Sequence, residues 1–187
     1  SRGLGDVYKR QVFDEAGDTL FTWVWLDRRV DAYDVSVPNR ITKLWSVDLS
    51  QDDPLTESQL RGKQIFHDSY DPRISKANYI ACSHCHPAGQ HDRQTWDFSD
   101  RGEGLRNTTS LLGSGQTGML HWSGNFDEFQ DFEFDIRQHF GGQGLMEDSI
   151  MESATPLGEP LSGESEELDA LAAVSYTHLT LPTRYRV

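Results

Sequence analysis

The sequence predicts a mostly α domain preceded by a short, incomplete β segment, and three observations carry that expectation. Two helix signatures bracket the central stretch, Pro54-Leu-Thr-Glu-Ser-Gln-Leu60 near its start and Ser165-Glu-Glu-Leu-Asp-Ala-Leu171 near its end. Ahead of them, residues 12–50 alternate and turn as strands do. Between them stands Cys82-Ser-His-Cys85-His86, whose two thiols and final imidazole lie at i, i+3 and i+4, so one turn of helix brings all three to one side.

The two ends are set apart first. Asp6 to Gln11 read DVYKRQ and Val174 to Leu179 read VSYTHL. Both are translations of one inverted DNA string, GATGTGTATAAGAGACAG and its reverse complement, which looks like a transposon end used to fragment DNA for sequencing. Residues 1–11 and 174–187 are therefore read as adapter-derived scars and excluded from fold reasoning, as a tag would be. On this expectation the gene was cut at both ends. The competing reading is a real N-terminal loop and a real C-terminal strand.

Formal charge is −13. The two ends hold Arg2, Lys9, Arg10, Arg184 and Arg186 against Asp6 alone, a net +4, so the core carries −17. Such acidity argues against nucleic-acid binding, where phosphates demand a basic face. It suits a solvated acidic surface or the docking of a basic redox partner. No segment is long and apolar enough to span a bilayer.

Within residues 12–50, Thr19 to Trp25 is rich in aromatic and β-branched residues that fit a pleated surface. A polar break at Asp27-Arg-Arg29 precedes Val30 to Val35, and Pro38-Asn39-Arg40 makes a second turn. Ile41, Lys43, Trp45, Val47 and Leu49 then share one face of a third strand. Three short strands cannot bury a core alone. They look like one blade of a β-propeller, and "DEAGDTLF…VDAYDV…ITKLW" resembles blades of lactonase-like propellers; a small hairpin appendage is the competing reading.

The second region spans residues 54–173. Thr56 stands as N-cap with Gln59 as its capping-box partner, and Leu55 and Leu60 sit where a hydrophobic staple would be. Gly62 costs this helix about 1 kcal/mol relative to alanine, a cost that close crossing by another helix would explain. The helix after Ser165, with acids in its first turn and Leu168 and Leu171 on one stripe, is the candidate to cross it. Between them the chain is Gly- and aromatic-rich, with one helical stripe at Phe129, Phe132, Ile136 and Phe140.

Three readings compete for Cys82, Cys85 and His86. The thiols can add across the vinyl groups of a haem while His86 takes the iron from one face. They can bind zinc with His84, His86 or His91, or form a redox CxxC, which expects a βαβ frame. CxxCH is the recognised haem-attachment pattern and no second CxxC supplies a zinc partner pair, so covalent haem c leads, with His84 an exposed spacer. In bacteria such attachment occurs outside the cytoplasmic membrane, which places the protein in the periplasm or among secreted proteins.

The segments "RGKQIFHDS…CSHCHPAGQHD…WDF…GLRNTTSLLG…HWSGNFDEFQDFE" resemble the first haem module of the di-haem cytochrome c peroxidase superfamily, in particular members that fuse propeller blades ahead of it. The resemblance implies a class I cytochrome c-like fold, with first and last helices crossing, and a peroxidase-like oxidoreductase in the intact protein. The fragment itself is then an electron-transfer module with one haem, served by an electron-donor protein or small redox partner. It also implies thioether roles for Cys82 and Cys85, a proximal iron ligand in His86, and haem-pocket positions for Arg106, Asn107 and Trp122. Ser123 replaces the family's usual acid, and His121 takes the aromatic place before Trp122. His121 is thus the first candidate for a distal iron ligand, followed by Met119, Met146 and His91, although a histidine satisfied elsewhere fits as well. Gln130 and Glu133 stand roughly where the family places a glutamine and an acid for peroxide cleavage. Their spacing does not match, and a solvated helix face explains them better. The rival function is a non-enzymatic, zinc-stabilised interaction domain attached to a propeller.

Overall fold

A computed structural model of the chain describes residues 8–49 and 55–177, which fall into two compact units, Ser1–Thr56 and Glu57–Val187. The lead-in at Pro54 and the outer parts of the expected scars, residues 1–7 and 178–187, lie outside the described residues.

The first unit is an antiparallel meander of β1 (Tyr8–Phe13), β2 (Thr19–Val24), β3 (Arg29–Asp34) and β4 (Thr42–Asp48), hydrogen-bonded in chain order. β1 adds a strand to the three expected, and its first residues belong to the stretch read as a scar. The β1–β2 turn is fixed by Asp14, whose Oδ1 accepts from the amides of Asp18 (2.9 Å) and Thr19 (3.1 Å). Phe21, Ala32 and Trp45 pair across three strands, which brings the Phe21 and Trp45 rings to 5.9 Å.

The strict alternation expected for residues 41–49 breaks at a register shift opposite Ala32/Tyr33, so Lys43 pairs with Tyr33 while Trp45 pairs with Ala32. Lys43 therefore reaches Asp31, with Nζ 3.0 Å from Oδ2. Asp31 is fully buried and also takes Ser46 Oγ at 2.6 Å, Arg29 Nε at 3.0 Å and the Tyr33 hydroxyl at 3.1 Å. Burial alone would raise its carboxyl, but these hydrogen bonds outweigh burial and hold it down at about 2. β4 itself is exposed at every position.

In the second unit, α1 (Glu57–His67) starts directly after Thr56, as the capping pattern expects. A one-turn α2 (Cys82–Cys85) follows, then the hairpin β5 (Thr95–Phe98) and β6 (Gly104–Asn107), α3 (Phe132–Gln138), the short α4 (Asp148–Met151) and α5 (Glu166–Thr177). α1 and α5 cross at Gly62, where an added Cβ would meet the Ala170 carbonyl oxygen. Across the crossing Arg61 Nε donates to Glu167 Oε1 at 2.6 Å, and Arg73 Nη1 meets Glu167 Oε2 at 2.7 Å. α5 runs through the expected boundary at 173/174, with Val174 and Ser175 buried. The core gathers Ile65 and Phe66 of α1, Leu168 and Leu171 of α5, and Phe126, Phe129 and Ile136. The Phe129 stripe expected as one helix is a 3-10 turn, Phe129–Asp131, leading into α3.

The mostly α expectation is corrected: the described residues are 32% helical and 22% strand, with two antiparallel sheets and no closed barrel. Glycines at 102, 104, 113, 118, 124, 141 and 144 all take positive φ. A helix cannot propagate through such positions, so the middle of this unit resolves into turns, one hairpin and very short helices.

Candidate functional site

α1, α2, the β5–β6 hairpin, α3 and α5 wall a cleft of about 1150 Å³, its open mouth included. Its walls are mostly apolar, among them Phe66, Ile74, Leu111, Phe132, Ile136 and Leu171. The polar groups reaching it include Cys82, Cys85, His86, Arg101, His121 and Asp135. A large apolar cleft with a few convergent polar groups is the usual form of a cofactor site.

The Cys82–His86 segment forms the turn its spacing predicts. Ala81 enters extended, and its N–H donates to His84 Nδ1 at 3.1 Å, so the supposed spacer caps the turn. The His86 N–H donates to the Cys82 carbonyl at 2.9 Å and closes it. The His86 ring sets Nδ1 3.3 Å from the Gln90 carbonyl, which helps fix the orientation of the ring. Burial lowers the His86 pKa, against the opposing pull of the Gln90 and Thr109 carbonyls, and favours a neutral imidazole. Burial pushes the Cys82 thiol up to about 12 and raises that of Cys85, with Asp92 adding to the latter. Two free thiols and an imidazole on one turn beside an apolar cleft are residues that would fit a haem.

A second polar group reaches the cleft around Asp135. Its Oδ2 accepts from Arg101 Nη1 at 2.5 Å and lies 3.5 Å from His121 Nε2, and its Oδ1 lies 3.7 Å from His139 Nε2. The other nitrogen of His121, Nδ1, is 2.9 Å from Asn125 Oδ1, and the ring packs on Phe126 and Phe132 with centroids at 4.2 and 4.8 Å. Both ring nitrogens of His121 thus face oxygens.

Of the residues singled out by sequence, Cys82, Cys85, His86, Asn107, His121 and Trp122 line this cleft. Trp122 Nε1 donates to the Asn107 carbonyl at 2.7 Å, which ties those two together. Arg106 is not among the lining residues: its Nη1 turns back to the Leu105 carbonyl at 2.9 Å. Met146 is in the hydrophobic core, while Met119 and His91 are exposed. Gln130 and Glu133 do not line the cleft, and they are buried rather than on a solvated face. Gln130 Nε2 donates to Asp169 Oδ1 at 2.8 Å. Glu133 accepts from the amides of Leu145 (2.8 Å) and Met146 (3.0 Å) and from Arg137 Nε (2.9 Å). Each is a strut between segments.

Sequence reasoning missed Arg101 and Asp135. The signal available for Asp135 was a run of acids, Asp131, Glu133 and Asp135, on a short segment otherwise built of phenylalanines and isoleucine. Three acids there are too many for a helix that the surrounding aromatics bury. Among the described residues no group of three or more His, Cys, Asp and Glu side chains is placed to hold a metal ion, so the zinc reading lacks a ligand set. No helix among the described residues is long and apolar enough to cross a membrane.

The sequence model of the family described as di-haem cytochrome c peroxidase matches residues 57–171, well over half of the chain. No curated protein and no solved structure gives a match. The chain belongs to the di-haem cytochrome c peroxidase family.

Proposed function

We propose that this member of the di-haem cytochrome c peroxidase family is a c-type haem module, in which Cys82 and Cys85 fix the porphyrin by thioether bonds and His86 holds its iron. The observation that carries the reading is a one-turn helix, closed by His86, that brings both thiols and the imidazole to an apolar cleft. When bound, the haem supplies one-electron chemistry that side chains lack. Cys82 and Cys85 would hold the haem by C–S bonds to its two vinyl groups, an addition of S–H across C=C that needs no oxidant. The Gln90 carbonyl orients the His86 ring, and the apolar walls exclude water.

The module passes electrons as part of a peroxidase-like protein, receiving them from a donor protein or small redox partner that the acidic surface favours when basic. Neither Gln130 nor Glu133 is placed to assist peroxide cleavage, which supports electron relay as the role of this module. The four-stranded meander of the first unit has the topology of a propeller blade and supports the reading of residues 12–50 as part of one. Thioether attachment implies a periplasmic or secreted home.

The test is expression alongside a cytochrome c assembly system. Haem is expected to survive acid–acetone extraction, and the tryptic peptide spanning both thiols to carry a porphyrin adduct that C82S/C85S lacks. A colourless product without an adduct would defeat the proposal.

A further inference from the structure

We propose that Arg101 is the carboxylate-binding residue of the cleft, taking an acidic side arm of the porphyrin; this rests on the haem reading above. Arg101 is the one lysine or arginine among the described residues lining the cleft. Its side chain is 13% exposed and is held twice. Nη1 donates to Asp135 Oδ2 at 2.5 Å, and the guanidinium carbon stands 3.9 Å from the centroid of the Phe98 ring. Its Nε is buried and has no hydrogen-bond partner. A buried guanidinium donor left unsatisfied is costly, and such groups are rarely left so.

The geometry suits a second carboxylate. Asp135 engages Nη1 and leaves Nε free, and the planar fork of arginine accepts carboxylate oxygens along its edge. A haem is an apolar disc with two carboxylates at one side, so its disc matches the apolar walls while its acidic arms need a cation or water. Around Arg101 the other charged groups reaching the cleft are Glu103 and Asp135, both acids, besides His121. Without the guanidinium a carboxylate on this side would face like charge. Sequence resemblance pointed to Arg106 as the pocket arginine, but that side chain bonds its own hairpin.

Two measurements test the assignment. In matured protein, resonance Raman reads the haem carboxylate bending bands and a redox titration reads the midpoint potential. R101Q is expected to shift those bands and lower the potential, because a cation beside the haem is lost. R101K is expected to keep more of the potential than of the band position, since it retains the charge without the fork. Should R101Q fail to fold, a second measurement keeps Arg101 in place: the C82S/C85S chain is titrated with haemin and with haemin dimethyl ester. The ester is expected to bind about tenfold more weakly, the worth of one charge-assisted hydrogen bond. Attached haem with unchanged bands and potential in R101Q, or equal affinity for acid and ester, overturns the role of Arg101 and leaves the haem reading standing. No haem on the matured wild-type chain overturns both.

Discussion

A Cβ placed on Gly62 would stand 1.7 Å from the carbonyl oxygen of Ala170. The helices α1 and α5 therefore meet backbone to backbone, at a distance only glycine permits. In an isolated helix Gly→Ala gains about 1 kcal/mol. Here the obstacle is main chain rather than a movable side chain, and overpacking of this kind costs about 3 kcal/mol or more. The clash wins, so G62A is expected to lower the thermal midpoint of the second unit. Circular dichroism melts check it; an unchanged or higher midpoint would show that the crossing is looser than described.

Glu133 is expected to behave as a structural residue. E133Q keeps the shape but removes the charge that Arg137 and two backbone amides share. Removing one side of a buried, hydrogen-bonded charge costs about 3 kcal/mol. The expected result is a lower urea midpoint with an unchanged haem spectrum in the protein that remains folded. An altered spectrum at unaltered stability would instead place Glu133 at the cofactor.

How legible was this site in the sequence? The Gly62 crossing, the Thr56 helix start and the Cys82–His86 turn could all be read because each is local or carries its own cost: a glycine inside a helix demands a reason, and CxxCH has its geometry in its spacing. Arg101 and Asp135 could not. Arg101 sits in the turn of the β5–β6 hairpin, and β6, the Gly-rich turns and the start of α3 separate it from Asp135, so the two meet only when that long stretch closes on the cleft. Lys43 was misread for a similar reason, since a bulge at Leu44 in its own strand moves it to the other face, and nothing in the local alternation marks that bulge.

Cys82 gives the unmatured chain an alkaline weakness. Its folded pKa, about 12, lies above the ordinary thiol value of 9.0. Between those values the unfolded chain releases a proton that the folded chain retains, so stability falls as pH rises through the window. The slope reaches about 1.4 kcal/mol per pH unit for one fully coupled group. Below the ordinary value both states are protonated and the effect vanishes. Thioether formation removes the titrating group altogether. Urea midpoints of unmatured and matured protein, compared from about pH 8 to about pH 10, should diverge; parallel curves would show that the Cys82 thiol is solvated.

His121 can take a haem iron through Nε2 only by giving up Asp135, and it holds Asn125 through its other nitrogen. The matured ferric protein is therefore expected to be high-spin at neutral pH, and D135A to increase its low-spin fraction by freeing the ring. Visible absorption and electron paramagnetic resonance read the spin state directly. A wild-type protein already low-spin, turning high-spin in H121A, would reverse this and make His121 the distal ligand.

Every residue of β4 faces water, including Leu44, Trp45 and Val47. An edge of that composition, which no other described strand pairs, offers ready main-chain partners to any extended polypeptide nearby. Whoever purifies residues 8–49 by themselves should plan for turbidity and self-association from the outset, and spectroscopy of the haem unit is best begun on a version trimmed to start near Glu57.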